Sequence, residues 1–248
     1  MKQYEAVIET LDKLGGVVTL GDLYSEVFKI EDCKWNTKTP FASIRRIVQQ
    51  TKGIYKIKPG LYGLEKYRNH LENNGIMIET ESNKDSEDLK KFNHTYYQGI
   101  LLLVGRWRNM DTFVPQQDKN KRFYDGRTLR ELSSLHKLPE YSYPEFVRRS
   151  STIDTIWFNH RKMPHSFFEI EHSSDIQNSL LKFNDLQDFS ARMTIVADIK
   201  RKGEFEAKIS YHAFDGLRLN KRVLFLSYNE LIKQYEMEVE KKSFDYIL

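Results

Sequence analysis

The chain has 248 residues, of which 40% are hydrophobic, 13% aromatic and 30% charged, with a formal net charge of +4. This composition excludes an intrinsically disordered chain, and the length is sufficient for one large domain or two smaller ones. A net charge this small does not by itself indicate a nucleic-acid partner, so the distribution of charge along the chain has to decide.

The N-terminal region begins with two predicted helices. Apolar side chains recur at helical spacing over residues 2–14, and Gly15-Gly16 ends that helix. After a short extended segment, Thr19 and Asp22 have the spacing of a capping box, which predicts that a second helix begins there.

A third helix and a hairpin complete this region. Thr39-Pro40 supplies a cap residue followed by proline at the first helical position, which predicts a helix over residues 39–51. Pro59-Gly60 suits the centre of a type II turn between two short strands. Three helices followed by a hairpin are typical of a winged helix-turn-helix, so we predict such a domain over residues 1–70, with residues 39–51 as the recognition helix.

The charges of this region favour a DNA partner. From Cys33 to Leu64 the chain carries seven basic residues and no acidic one, whereas an ordinary solvated face mixes both signs. Basic side chains neutralise phosphates, and amides read base edges. A solvated basic face on a small helical domain, or a module for protein contacts, stays open as an alternative. The residues expected to bind DNA are Lys34, Asn36, Lys38, Ser43, Arg45, Arg46, Gln49, Gln50, Lys56 and Lys58.

The composition changes after this domain. Residues 71–91 are rich in Asn, Glu, Ser, Lys and Asp, which predicts a linker. From residue 92 to 248, strands alternate with helices, which predicts an α/β or α+β domain around a mixed sheet. The predicted strands are residues 111–115, 153–158, 166–171, 193–198 and 222–226, and the predicted helices are residues 94–107, 143–149, 174 onward and 227–236.

Three carboxylates are predicted to converge on two of these strands. Side chains alternate along a strand, so Glu169 and Glu171 share one face, and a neighbouring strand can bring Asp154 beside them. Converging carboxylates repel one another, and a divalent cation such as Mg²⁺ supplies the missing counter-charge. Two glutamates on the wet face of an edge strand fit the same spacing, and the spacing alone does not decide between the two.

Residues near this cluster have two readings each. His172 is either a base or the cap of a strand end. Lys182, on the following helix, is either a phosphate contact or a solvated lysine. Ser174 and Gln177 have capping-box spacing and predict the start of that helix.

Several segments together resemble the PD-(D/E)xK nuclease superfamily, and most of all bacterial type II restriction endonucleases of that fold. The resemblance covers roughly residues 92–236, and the front domain is similar to winged-helix modules fused to such nucleases. The segments that carry it are Tyr96-Tyr97-Gln98, Phe113-Val114-Pro115-Gln116-Gln117-Asp118, Thr152-Ile153-Asp154-Thr155-Ile156-Trp157-Phe158, Phe168-Glu169-Ile170-Glu171-His172-Ser173 and Ser179-Leu180-Leu181-Lys182-Phe183.

The resemblance implies an active site. Asp154 and Glu169 match the acidic positions that hold Mg²⁺ in this superfamily. The resemblance implies one or two Mg²⁺ ions in each active site. Glu171 stands where a lysine is usual, as in restriction endonucleases that use Glu-x-Glu. This leaves three ways to activate the attacking water, namely hydroxide on the metal, Glu171 as a base, or Glu171 as a second metal ligand. Family members often add a glutamate from an earlier helix, for which Glu145 is the candidate.

The resemblance also implies partners. These are double-stranded DNA, a second copy of the chain in a homodimer that cuts both strands, and a cognate DNA methyltransferase as a functional partner. Two other functions stay open. One is a sequence-specific DNA-binding regulator with a catalytically inactive nuclease-like domain, which the missing lysine favours, and the other is a repair or recombination nuclease that recognises DNA structure.

The remaining sequence features indicate an intracellular protein. Cys33 is the single cysteine, which excludes an internal disulfide or a cysteine-rich zinc site. The N-terminus lacks an apolar signal region, and the longest apolar run, residues 100–104, is far too short to span a membrane. We therefore expect a cytoplasmic protein of a bacterial or archaeal cell.

Overall fold

The computed structural model describes the backbone of residues 1–245 and the side chains up to residue 242. The chain divides into two compact units, which are Met1–Phe92 together with the segment from Ile232 onward, and Asn93–Leu231. No helix within the described residues is long and apolar enough to cross a membrane. The secondary structure is mixed α+β, as predicted.

The first unit contains helices around a three-stranded antiparallel sheet. The strand order is β1-β3-β2, with Val18 opposite Tyr62 and Tyr55 opposite Gly63. Its elements are α1 (Gln3–Lys13), β1 (Val17–Thr19), α2 (Leu20–Glu26), α3 (Pro40–Gln50), β2 (Ile54–Lys58), β3 (Leu61–Leu64) and α4 (Arg68–Asn73), with short 3-10 turns over Val27–Lys29 and Glu65–Tyr67.

The local signals in the sequence account for these elements. The Thr19 hydroxyl accepts a hydrogen bond from the Asp22 backbone N–H at 3.1 Å, which caps α2 as predicted. Pro40 occupies the first turn of α3. Gly60 has φ of +75°, the left-handed conformation that the third residue of a type II turn requires.

The second unit is built on a five-stranded mixed sheet in the order β4-β5-β6-β7-β8, in which β4 to β6 are antiparallel and β6 to β8 are parallel. Its strands are β4 (Asp111–Phe113), β5 (Thr155–Phe158), β6 (Pro164–Glu171), β7 (Arg192–Ala197) and β8 (Val223–Ser227). Its helices are α5 (Glu87–Trp107), α6 (Leu129–Leu132), α7 (Pro144–Ser150), α8 (Ile176–Asp185), α9 (Lys202–Ile209), α10 (Asp215–Leu219) and α11 (Tyr228–Asp245), where α5 begins and α11 ends in the first unit.

Both faces of this sheet are covered. On one face, Phe167, Met193 and Ile195 form a buried core with Leu180 and Phe183 of α8. On the other, the Trp157 Nε1 atom donates to the Leu101 carbonyl of α5 at 3.1 Å. A sheet covered on both faces explains why Glu169 and Glu171, which alternate with apolar residues, are buried rather than solvated.

The division into units differs from the predicted domains at the C-terminal end. Residues 92–248 were predicted as one domain, yet the segment from Ile232 belongs to the first unit. The Tyr235 hydroxyl lies 2.9 Å from the Thr19 hydroxyl, and Arg45 pairs with Glu236 at 2.9 Å. The predicted linker also differs, because α4 extends to Asn73 and the first unit continues to Phe92.

Candidate active site

Asp154 and Glu169 are brought together by the pairing of β5 with β6. Thr155 lies opposite Phe168 in this antiparallel pair, so the same register places Asp154, one residue before β5, opposite Glu169. The strand was predicted to begin at Ile153 and begins at Thr155. The Ile170 backbone N–H donates to Asp154 Oδ2 at 2.8 Å, which fixes this carboxylate against β6.

Lys182 contacts the buried carboxylate of Glu169. Its Nζ atom lies 3.0 Å from Glu169 Oε1 and 2.8 Å from Oε2, and it also donates to the Thr152 carbonyl at 3.1 Å. The Glu169 residue is 2% exposed. The sequence left Lys182 between a phosphate contact and a solvated lysine, and the structure shows a third arrangement, an ion pair with Glu169.

Burial and charge act in opposite directions on Glu169. Removal of the carboxyl group from water, reinforced by the nearby Asp154 carboxylate, raises the pKa of Glu169 to about 8, although Lys182 opposes the increase. Burial and the Asp154 carboxylate together therefore outweigh Lys182 in setting the pKa of Glu169.

Glu171 is held by hydroxyl groups and lies close to an arginine. Ser174 donates to Oε2 of Glu171, and Ser179 donates to Oε1. Ser179 Oγ also lies 2.8 Å from Glu169 Oε2, so one hydroxyl, with a single proton to donate, lies between the two glutamates. Arg201 Nη1 lies 3.9 Å from Glu171 Oε2.

Helix α8 supplies two of these contacts because Ser179 and Lys182 are three residues apart and share one helix face. The capping-box spacing placed the cap of this helix at Ser174, one residue too early. Asp175 is the cap residue and accepts from the Gln177 backbone N–H at 2.9 Å. Ser174 is not the cap, since its hydroxyl donates to Glu171 instead.

Asp154 also faces residues from α5 and from the segment after β4. His94 Nε2 lies 3.6 Å from Asp154 Oδ1, and Gln98 Nε2 donates to the Asp154 carbonyl. Ligand atoms of His94, Asp118 and Asp154 all lie within 4.8 Å of one another. No other group of three such side chains meets this criterion within the described chain. His94 was not among the site residues predicted from the sequence, and its only signal was its position on the first helix of the second unit.

The two additional predicted residues occupy different places. His172 follows β6, with Nε2 3.3 Å from Asn93 Nδ2 and Nδ1 3.4 Å from the Tyr228 hydroxyl. Glu145 is exposed on α7. It is not among the side chains that pair with Asp154, Glu169 or Glu171 in the part of the chain described.

The residues predicted to bind DNA fall into three groups in the first unit. Ser43 is half-buried, and Arg45 pairs with Glu236 and Glu240 at 2.9 and 3.3 Å. Lys58 is buried, with Nζ 4.1 Å from the centre of the Phe92 ring. A buried ammonium is less accessible to a phosphate than an exposed one, and the role of Lys58 in DNA binding stays a prediction. The exposed members are Lys34, Asn36, Lys38, Arg46, Gln49, Gln50 and Lys56.

The donor set fits the divalent cation that the resemblance implies. Asp154 and Glu169 offer carboxylate oxygens, which are the ligands that Mg²⁺ prefers. The raised pKa of Glu169 reflects negative charge that burial leaves undercompensated, and a bound cation relieves it. We therefore regard the site around Asp154, Glu169, Glu171 and Lys182 as a candidate active site.

Residues 76–247 match the family described as the type II restriction enzyme NmeDI C-terminal domain. Because the match covers more than half of the chain, the protein belongs to this family of type II restriction enzyme domains. Searches of curated proteins and of solved structures gave no match.

Proposed function

We propose that the protein is a Mg²⁺-dependent endonuclease that hydrolyses double-stranded DNA at a short specific sequence, with a PD-(D/E)xK-like centre in its second unit. Membership of a type II restriction enzyme family supports a nuclease in general terms. The observation that carries the proposal is the contact of the Lys182 ammonium with both oxygens of Glu169, next to Asp154. Lys182 supplies from α8 the lysine that the strand lacks at Glu171.

Asp154 and Glu169 would hold the cation. A divalent ion in such a site neutralises charge on the phosphate and makes bound water more acidic. The chain positions both ligands, because the Ile170 amide holds Asp154 and the Ser179 hydroxyl holds Glu169.

Lys182 acts on the reacting phosphate. In hydrolysis, the oxygen of water forms a bond to phosphorus, a P–O ester bond breaks, and the departing oxygen takes up a proton. Negative charge builds on the phosphoryl oxygens in the transition state, and a preorganised ammonium beside the ligands stabilises it. Glu171 is a positioning residue in this scheme, since Ser174 and Ser179 occupy its two oxygens and connect it to Glu169.

The first unit would be a winged helix that binds the DNA. The order α1, β1, α2, α3, β2, β3 and the sheet order β1-β3-β2 support this, with α3 as the recognition helix. On α3 and around it, Arg46, Gln49, Gln50 and Lys56 are exposed and available to phosphates and base edges. A homodimer would cut both strands, and a cognate methyltransferase would protect the host DNA.

Digestion of a fully sequenced, unmethylated phage genome with the full chain and Mg²⁺ tests this function. We expect discrete fragments whose ends define one short sequence. Asp154→Asn should abolish cutting while leaving DNA binding intact, whereas Asp188→Asn, at an exposed aspartate after α8, should cut like the unchanged protein.

Specific binding without any cleavage would support the alternative, a DNA-binding regulator with an inactive nuclease-like domain. Preferential cutting of branched or damaged DNA would indicate a repair nuclease. Either result would contradict the proposal. The regulator was favoured by the absence of a lysine at position 171, and the contact of Lys182 with Glu169 weakens that argument.

A further inference from the structure

A second cluster of metal-ligand side chains lies on the side of Asp154 that faces α5. His94 comes from α5, Asp118 from the segment after β4, and Asp154 from the start of β5, so three separate parts of the chain meet here. Their ligand atoms lie within 4.8 Å of one another, and His94 Nε2 is 3.6 Å from Asp154 Oδ1. Two ligand atoms that are each about 2.1 Å from one ion lie at most about 4.2 Å apart, so the His94–Asp154 distance already fits and the cluster as a whole needs to contract only slightly.

A fully buried glutamine holds this cluster together. Gln98 is one helical turn from His94 on α5, which places both on the same helix face. Its Nε2 atom donates to Asp118 Oδ2 at 2.9 Å and to the Asp154 carbonyl. Its Oε1 atom is buried and has no hydrogen-bond partner among the described residues. A buried amide oxygen without a partner is costly, and a metal ion or its bound water beside it would satisfy it.

The charges of the cluster also favour a cation. Asp118 is 3% exposed, and both it and Asp154 are carboxylates removed from most of the solvent. The Lys121 ammonium lies 2.6 Å from Asp118 Oδ1 and supplies one positive charge, but its side chain is partly exposed and can turn away. Lys182 is engaged by Glu169.

We propose that His94, Asp118 and Asp154 bind a divalent transition-metal ion, such as Mn²⁺. This site is separate from the proposed Mg²⁺ site, which Asp154 and Glu169 form, and Asp154 is the one residue that the two sites share. An imidazole nitrogen among the ligands favours transition-metal ions such as Ni²⁺ and Zn²⁺ over Mg²⁺ and Ca²⁺, and Mn²⁺, which accepts both nitrogen and oxygen ligands, is the paramagnetic probe for the site. The inference extends the proposed function through the shared Asp154, yet binding at this site does not require DNA or cleavage.

Electron spin-echo spectroscopy of Mn²⁺ bound to the full chain, without DNA, tests the site directly. A coordinated histidine couples the ¹⁴N nucleus to the Mn²⁺ spin, whereas carboxylate ligands do not. At one equivalent of Mn²⁺ we expect ¹⁴N modulation in the unchanged protein and in His212→Gln, a control at an exposed histidine. We expect none in His94→Gln, and an equal concentration of Mg²⁺ should leave the modulation unchanged.

Affinities measured by titration give a second readout. Asp118→Asn should weaken Mn²⁺ binding about tenfold or more, since even residues that only support a ligand cost this much. Lys121→Gln should tighten binding, because it removes the ammonium that competes for Asp118. This opposite effect keeps the proposal testable if a ligand variant fails to fold.

The proposal is overturned if modulation persists in His94→Gln, if it is absent from the unchanged protein, or if Lys121→Gln weakens binding. Each outcome is separate from the nuclease test. Cleavage with Mg²⁺ but no nitrogen coupling would support the proposed function and contradict the site at His94. Nitrogen coupling without cleavage would support the site at His94 and contradict the proposed function.

Discussion

Two lysines, Lys182 partly buried and Lys58 buried, show how the surroundings change the role of a basic side chain. Lys182 pairs with Glu169 at the candidate active site. The Lys58 Nζ atom lies over the Phe92 ring, and burial lowers the pKa of Lys58 to about 7 despite the opposing charge of Glu79. The number of basic residues along the sequence therefore indicates a basic region. Which of its lysines can contact a ligand depends on how exposed each side chain is in the fold.

Lys58 should destabilise the protein at neutral pH. Its folded-state pKa of about 7 lies below the ordinary value of 10.5, so the unfolded chain binds more protons between these values and the free energy of unfolding rises with pH across this window. Lys58→Met should therefore raise the stability on the order of 2 kcal/mol near pH 7, and less near pH 10. Thermal unfolding measured at both pH values checks this.

Lys56→Met is the matched control, because Lys56 is exposed on the same strand. It should change the stability by less than about 0.5 kcal/mol at either pH. A gain for Lys58→Met that does not depend on pH would contradict the shifted pKa and point to better packing alone.

Single residues of the site differ in how far the sequence could predict them. Strand alternation and pairing brought Asp154 and Glu169 together, because those rules act over short distances along the chain. The contacts of Lys182 and His94 depend on how α8 and α5 pack onto the sheet, and no local pattern specifies that packing. Glu145 was chosen by analogy with an earlier helix, and the earlier helix that meets Asp154 is α5.

At the scale of elements, neighbouring arginines on α3 should differ in function. Arg46 is exposed, whereas Arg45 pairs with Glu236 and Glu240. Arg46→Ala should weaken DNA binding and reduce the slope of log affinity against log salt by about 0.9, the contribution of one phosphate contact. Affinities measured at several salt concentrations check this.

Arg45→Ala should act on stability instead. The substitution removes the cation that pairs with the buried Glu236, so the free energy of unfolding should fall. The salt slope of DNA binding should stay the same. If Arg45→Ala reduced the salt slope as much as Arg46→Ala, the ion pairs with α11 would not restrain Arg45 in solution.

Most elements could be predicted from local signals, with errors where tertiary contacts intervene. Helices α2 and α11 begin where they were predicted to, and the hydroxyl groups of Thr19 and Ser227 accept backbone N–H hydrogen bonds at these starts. The start of α8 was shifted by one residue, because Ser174 is used by Glu171. Helices α9 and α10 were not predicted, since they are short and α9 has few apolar residues at helical spacing.

In the molecule as a whole, the C-terminal helix α11 belongs to the N-terminal unit from Ile232 onward. Such a return of the chain leaves no signal in composition or in turn residues, so the predicted boundary placed this helix in the second domain. The contact between Gly60 and Ile232 makes the arrangement testable. A Cβ atom at Gly60 would lie 2.6 Å from Ile232 Cγ2, whereas one at Gly53 would meet nothing within 4 Å.

Gly60→Ala should therefore destabilise more than Gly53→Ala. Both glycines have positive φ, of 75° and 90°, so both substitutions carry backbone strain of about 1–2 kcal/mol. Gly60→Ala should cost about 1–3 kcal/mol more through overpacking against Ile232. Denaturant unfolding measures the difference. In an Ile232→Ala background, Gly60→Ala should lower the free energy of unfolding by less than it does in the unchanged protein. Equal losses for the two single variants would contradict this placement of α11.

We propose that Asp154, Glu169 and Lys182 form the centre that cuts DNA. The most direct test of this proposal is the single-turnover rate of cleavage of an unmethylated duplex carrying the mapped sequence, with saturating protein and Mg²⁺. We predict that Lys182→Met slows cleavage about 100-fold or more with unchanged DNA affinity, while Lys137→Met, at an exposed lysine, leaves the rate unchanged. Cleavage by Lys182→Met at the rate of the unchanged protein would contradict the account.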